Sequence, residues 1–285
     1  MKIARYERKD RISLGVVRHD RVIPLVALGF EFADMIALIE AGAPCLAKIR
    51  EALENCPEDI GEPLASVRLL APLRPRKFLA IGMNYQRHAE EARRLGIPVP
   101  EKQLWFNKQT SCVNGPYDHI LRGVTEKLDY EVELGVVIGK SAKSVSASDA
   151  FDHVFGYLVV NDVSARDWQM HSQTMTMGKS FDTHGPIGPW IVTADEIENP
   201  EALGIRCFVN GEMRQNSNTG DLVHKIAQQI EYLSAAFTLE PGDILATGTP
   251  EGVGVAMDPP QFLQPGDIVR CEIDGIGAIE NPVSA

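Results

Sequence analysis

The chain has 285 residues, which at roughly 150 residues per domain fits one large domain or two modest ones. Hydrophobic residues make up 44% and charged residues 24%, so there is material for a real core and the chain is not a wholly disordered one. Lys and Arg number 28 against 39 Asp and Glu, a net charge of −11 that argues against broad binding to a nucleic-acid backbone but allows a local basic pocket for a small anion. No stretch approaches the roughly 18 apolar residues of a membrane helix. The residues from Met1 to Asp10 are charged where a secretory signal would be apolar. Cys45, Cys56, Cys112, Cys207 and Cys271 are scattered and form no CxxC, so the expectation is reduced thiols in a cytoplasmic protein rather than disulfides or structural zinc.

In chain order, Lys2 to Tyr6, Ile12 to Val17 and Val22 to Val26 read as a small antiparallel meander with charged breaks between the strands. From Phe32 to Glu54 the period becomes helical, and Gly42 with Pro44 divides that segment in two. Pro57, Gly61, Pro63, Pro72 and Pro75 then mark a turn-rich boundary between a small α+β unit, residues 1–70, and a larger unit, residues 71–285. Beyond Lys77 short strands dominate: Phe78 to Ile81, Glu131 to Ile138, Phe155 to Val160, Trp190 to Val192 and Ile205 to Val209. Asn210-Gly211 is a hairpin turn. One clear helix is expected from Leu222 to Phe237, capped by Asp221. Many short strands with few helices predict a mixed α+β, β-rich fold, a roll or barrel-like sandwich instead of a βαβ fold.

The segment from Leu128 to Gly139 carries the first chemistry. Side chains alternate along a strand, so Glu131 and Glu133 share one face about 7 Å apart, with Val132, Leu134 and Val136 on the other. An isolated E-x-E is more often a solvated strand face. Here the flanks are strongly apolar, and a second apolar strand ends in Asp162. Three converging carboxylates would repel one another and lose hydration without a cation. All-oxygen ligation favours Mg²⁺ or Mn²⁺.

Six ordered motifs then resemble the catalytic domain of the fumarylacetoacetate hydrolase superfamily, over most of the chain. They are Gly82-Met83-Asn84-Tyr85-x-x-His88-x-x-Glu91, Glu131-x-Glu133 to Gly139, Asn161-Asp162 to Gln169, Gly178-Lys179-Ser180-Phe181-Asp182, Val209-Asn210-Gly211-Glu212-x-Arg214-Gln215, and Gly242 to Gly254. The resemblance points to the acylpyruvase and dioate-isomerase-like branch. It implies a mixed β-sandwich roll, a homodimer, and a Mg²⁺ or Mn²⁺ site built from Glu131, Glu133 and Asp162. It also implies a His88–Glu91 base on a mobile segment with Gly82 and Gly96-Ile97-Pro98-Val99-Pro100 as its flanks, a catalytic Lys179, and substrate contacts from Gln169 and Thr249.

By residue type alone His88 and Glu91 would be a surface pair and Lys179 a surface lysine. Arg166 is expected in an ion pair with Asp167 or another acid as readily as on substrate. His171, His184 and His224 have no partners at ligand spacing and are expected in structural or surface roles. Trp105, Phe106, Trp168 and Met170 are expected in the core or the pocket wall. The Thr247 to Gly254 loop lacks the GxxxxGK[ST] phosphate pattern and can hold a carboxylate through backbone N–H groups and Thr249. The reaction expected first is metal-dependent hydrolysis of a C–C bond in a 2,4-dioxo acid, with a small 2-oxo acid as partner. Oxaloacetate decarboxylation or keto–enol tautomerisation is the alternative, and a non-catalytic binding protein the third reading.

Overall fold

The computed structural model describes residues 1–57, 59–94, 96 and 98–285. The N-terminal alternation builds the expected meander, with Lys2–Arg8, Arg11–Arg18 and Arg21–Pro24 pairing antiparallel. The third strand stops at Pro24 instead of Val26, because Leu25–Leu28 winds into a 3-10 turn immediately after the proline. The helix Met35–Glu54 is capped by the Asp34 carboxylate, which accepts from the Ala37 N–H at 2.9 Å. It breaks at Gly42, where φ is 68°, just ahead of Pro44. Lys2–Arg8 also pairs with Gly185–Thr193, so the leading residues extend the large sheet of the molecule.

That sheet has 12 strands. Four adjacent ones carry the chemistry: Val154–Asn161, Val132–Ile138, Ile244–Ala246 and Phe78–Gly82. Val132–Ile138 runs antiparallel to both of its neighbours, and Ile244–Ala246 runs parallel to Phe78–Gly82. A second sheet of five strands includes Gly204–Val209, Glu212–Asn218, Ile268–Ile273 and Gly277–Ser284. The two sheets sandwich one core. Val132, Leu134, Val136 and Ile138 pack in it with Ile205, Val269, Ile273 and Ile279. On the opposite side Val137, Leu158 and Val160 pack with Leu38, Ile39 and Ile49 of the N-terminal helix. Each such side chain contributes about 1.5–3 kcal/mol of burial. The central strand is therefore covered on both faces, and Glu131 and Glu133 are buried.

The second long helix spans Ile226–Ala236, shorter than the expected Leu222 to Phe237. Leu222 is held in a bridge to Tyr85, and Asp221 accepts a bond from Ser217 Oγ at 3.0 Å instead of capping the helix. The first helical N–H, of Ile226, finds its acceptor in Glu201 Oε1 at 2.9 Å. Met170 departs from its expected place too, being 82% exposed. The five cysteines are free thiols.

Candidate active site

Strand register explains why three acids meet. Val132 faces Asn161 across the antiparallel pair, so Glu131 and Asp162 fall side by side just beyond it, and the Asp162 N–H donates to the Glu131 carbonyl at 2.8 Å. Glu133, two residues on, shares the face of Glu131. One carboxylate oxygen from each of Glu131, Glu133 and Asp162 lies within 4.8 Å of the others, and all three residues are buried.

Cations already surround this cluster. Lys179 Nζ lies 2.6 Å from Glu131 Oε2 and 2.8 Å from Asp162 Oδ2. Arg166 reaches Glu131 Oε1 at 2.7 Å and Asp129 Oδ2 at 2.8 Å, so its acids are Asp129 and Glu131 rather than Asp167. Lys108 Nζ lies 2.6 Å from Asp162 Oδ1 and also donates to the Lys179 carbonyl. Burial opposes ionisation of Glu131, but Lys179 and Arg166 beside it prevail and hold its carboxyl well below the usual range. Glu133 goes the other way. Burial, then the charges of Asp162 and Glu131, push its carboxyl well above the usual range. Burial works against the Lys179 charge, yet Asp162 and Glu131 keep it an ammonium.

A divalent cation fits this donor set. Three hard oxygen donors converge, and the acid left short of positive charge is Glu133, which makes no ion pair with a lysine or arginine among the described residues. Its Oε2 accepts from a neutral donor, the Gly248 N–H at 2.8 Å.

The next strands bring in the remaining parts. Ile244–Ala246 ends beside Glu133, and the loop Thr247 to Gly254 follows it. Phe78–Gly82 leads through Asn84 into the helix Gln86–Arg94. His88 Nδ1 there lies 3.0 Å from Glu91 Oε2, and its Nε2 has no hydrogen-bond partner among the described residues. Glu91 Oε1 accepts the Gly252 N–H at 3.1 Å, so the acid that orients the imidazole is fixed by the glycine-rich loop. Asn84 Nδ2 donates to the Thr247 carbonyl at 2.8 Å, a second tie between loop and helix. Of the flanks expected to hinge this helix, Gly96 has φ +75° and Ile97 lies outside the described residues.

Gln169 bonds Arg166 Nη1 at 3.1 Å and makes no bond to Lys179, although its backbone packs against Gly178. Thr249 is buried, and its hydroxyl accepts from Gln215 Nε2 at 2.8 Å. His184 is buried against Phe181 and binds the Leu121 carbonyl at 2.8 Å, a structural setting. Sequence reasoning gave no role to Lys108, Asp129 or Gln215, although Gln215 closes one of the six motifs. Lys108 sits in a strand that reads as ordinary, Leu104–Lys108, with no pattern to single it out. Asp129 offered a signal, standing two residues before the E-x-E between Leu128 and Tyr130. Its two oxygens accept from Gly254 N at 2.8 Å and Val255 N at 3.0 Å.

Comparison with known proteins agrees with this geometry. The model of the fumarylacetoacetate (FAA) hydrolase C-terminal family matches residues 77–284, and that of an Rv2993c-like N-terminal family matches residues 1–72. The chain is 43% identical to the mitochondrial oxaloacetate tautomerase fahd2 of Xenopus laevis, over 99% of this chain and 90% of the relative. It is 44% identical to the human mitochondrial oxaloacetate tautomerase FAHD2A, over 87% of this chain and 79% of that one. Among solved structures, fumarylacetoacetate hydrolase from Exiguobacterium antarcticum superposes with a TM-score of 0.87 at 35% identity, covering 100% of this chain and 99% of that one. Maleylpyruvate hydrolase from Sphingobium sp. SYK-6, in complex with manganese (II) and pyruvate, superposes with a TM-score of 0.82 at 34% identity, with the same coverage. The chain belongs to the fumarylacetoacetate hydrolase family and is an enzyme of that family.

Proposed function

We propose that the protein is a divalent-metal-dependent keto–enol tautomerase of a 2-oxo dicarboxylate such as oxaloacetate, with Mg²⁺ or Mn²⁺ held by Glu131, Glu133 and Asp162. The observation that carries this is a single loop joining base and acids: Gly248 N–H binds Glu133 and Gly252 N–H binds Glu91, which orients His88. The 43% identity to an oxaloacetate tautomerase over nearly the whole chain supports it. When bound, the cation supplies a Lewis acid that favours negative charge on the oxygens of the 2-oxo acid. His88 Nε2 takes the enol hydroxyl proton and returns a proton to C3, and Glu91 steadies the imidazolium between the two transfers. Lys179 and Arg166 keep Glu131 ionised and add positive potential around the substrate carboxylates.

A second reading is favoured by the same dyad. His88 held by Glu91 is equally a base for water, and attack of that water on a distal carbonyl cleaves the C–C bond of an acylpyruvate. The maleylpyruvate hydrolase likeness supports it. The two readings are separated by running enol-oxaloacetate and an acylpyruvate in parallel, each followed by loss of enol absorbance with product analysis. Tautomerisation without cleavage supports the first, and stoichiometric release of a carboxylic acid supports the second. The proposal includes a homodimer in the cytoplasm, the first tested by light scattering and the second by cell fractionation. Among the described residues no helix is long and apolar enough to cross a membrane.

A further inference from the structure

The glycine-rich loop is fixed from behind by Gln215, whose motif the catalytic roles above leave unused. Gln215 lies on Glu212–Asn218 of the second sheet and is 1% exposed. Its amide makes three bonds. Oε1 accepts from Val132 N at 3.0 Å, and Nε2 donates to Thr249 Oγ1 at 2.8 Å and to the Pro250 carbonyl at 2.9 Å.

The two ends of this amide cannot be exchanged. A backbone N–H only donates, so the atom facing Val132 N is the oxygen. A carbonyl only accepts, so the atom facing Pro250 O is the nitrogen. Thr249 Oγ1 must therefore accept from Gln215. A hydroxyl has one proton, and among the described residues this one has no acceptor for it. Thr249 follows Gly248, whose own N–H binds Glu133, so its backbone lies next to the acid cluster.

We infer that Gln215 is a positioning residue that sets the polarity of Thr249. It takes up a hydroxyl lone pair, so the hydroxyl proton is presented to a carboxylate oxygen of the substrate. The inference rests on the 2-oxo acid reading above and deepens it. It also gives Gln215 a reason to be an amide. A glutamate would satisfy Val132 N equally well but would accept from Thr249, turning the hydroxyl away from substrate.

The test is a double-mutant cycle read by binding, not turnover. Pyruvate is titrated calorimetrically into Mn²⁺-loaded wild type, Gln215→Glu, Gln215→Met, Thr249→Val and the two double variants. Losing one hydrogen bond to an anion corresponds to an increase in Kd of about ten- to hundredfold. That increase is expected for Gln215→Glu and Thr249→Val, with a smaller one for Gln215→Met. In the Thr249→Val background neither Gln215 change should alter pyruvate affinity further, and Mn²⁺ affinity should stay close to wild type. Equal losses in both backgrounds would overturn the inference, as would wild-type pyruvate affinity in Gln215→Glu or no pyruvate binding by wild type. Either Gln215 variant closes the cycle if the other does not fold. Wild type that binds pyruvate but leaves oxaloacetate unchanged would defeat the tautomerase reading alone. Tautomerisation with an additive cycle would defeat only the role of Gln215.

Discussion

Glu133→Gln separates the needs of folding from those of metal binding. The ligand oxygens of Glu133, Glu131 and Asp162 lie within 4.8 Å of one another. At that distance and an effective dielectric constant of about 20, two unit charges repel by about 3 kcal/mol. Glu133 meets two such neighbours, and Lys179 offsets about one of them. The remainder, about 3 kcal/mol, is what the metal-free protein escapes by keeping a proton on Glu133. The amide variant removes the repulsion and retains an oxygen for the Gly248 N–H. Because the proton on Glu133 already relieves this repulsion in metal-free wild type, urea unfolding in EDTA should find Glu133→Gln as stable as wild type or slightly more stable. In Mg²⁺ at a hundred times Kd, wild type should gain about 2.7 kcal/mol and the variant only a small part of it. A variant that loses more than about 2 kcal/mol in EDTA, or keeps the full Mg²⁺ increment, refutes the reasoning.

Lys108→Met leaves Asp162 with one buried cation instead of two and should cost about 3 kcal/mol, the low end for breaking a buried pair, because Lys179 remains; urea midpoints check it. Burial lowers the His184 imidazole to about 4, so its contribution is present above pH 6.5 and lost as pH falls towards 4. Over that window wild type should lose about 3 kcal/mol more stability than His184→Gln, measured as unfolding free energy against pH. Gly252→Ala combines a φ of +96° with a Cβ placed 2.1 Å from the Arg214 carbonyl. The loop must shift, releasing Glu91, so kcat should fall at least tenfold while Mn²⁺ affinity stays within about threefold.

Much of the chemistry is legible in the sequence because it rides on regular strands. The period of two puts Glu131 and Glu133 on one face, and the two apolar flanking runs foretell a central, buried strand. The i, i+3 spacing of His88 and Glu91 reads directly as a helical pair, and the structure brings them together. What stays hidden depends on register and long-range packing. Nothing near Lys108 indicates that its ammonium crosses to Asp162, 54 residues away. Gln215 is 83 residues from Val132, so its bridging amide is visible only once the two sheets face each other. The helix start at Ile226 is hidden in the sequence for a related reason. Asp221 has the right chemistry for a cap, but Glu201, 25 residues upstream, supplies the acceptor at the Ile226 N–H.

The central claim is that one divalent ion, held by Glu131, Glu133 and Asp162, is needed for turnover of a 2-oxo acid. Its most direct test is titration of Mn²⁺ into metal-free protein, with bound Mn²⁺ followed by electron paramagnetic resonance and enol-oxaloacetate loss followed in the same samples. Both signals should saturate together at a single ion per chain, and Glu133→Gln should abolish both. Full enol loss in EDTA, or in Glu133→Gln with no Mn²⁺ bound, would contradict it.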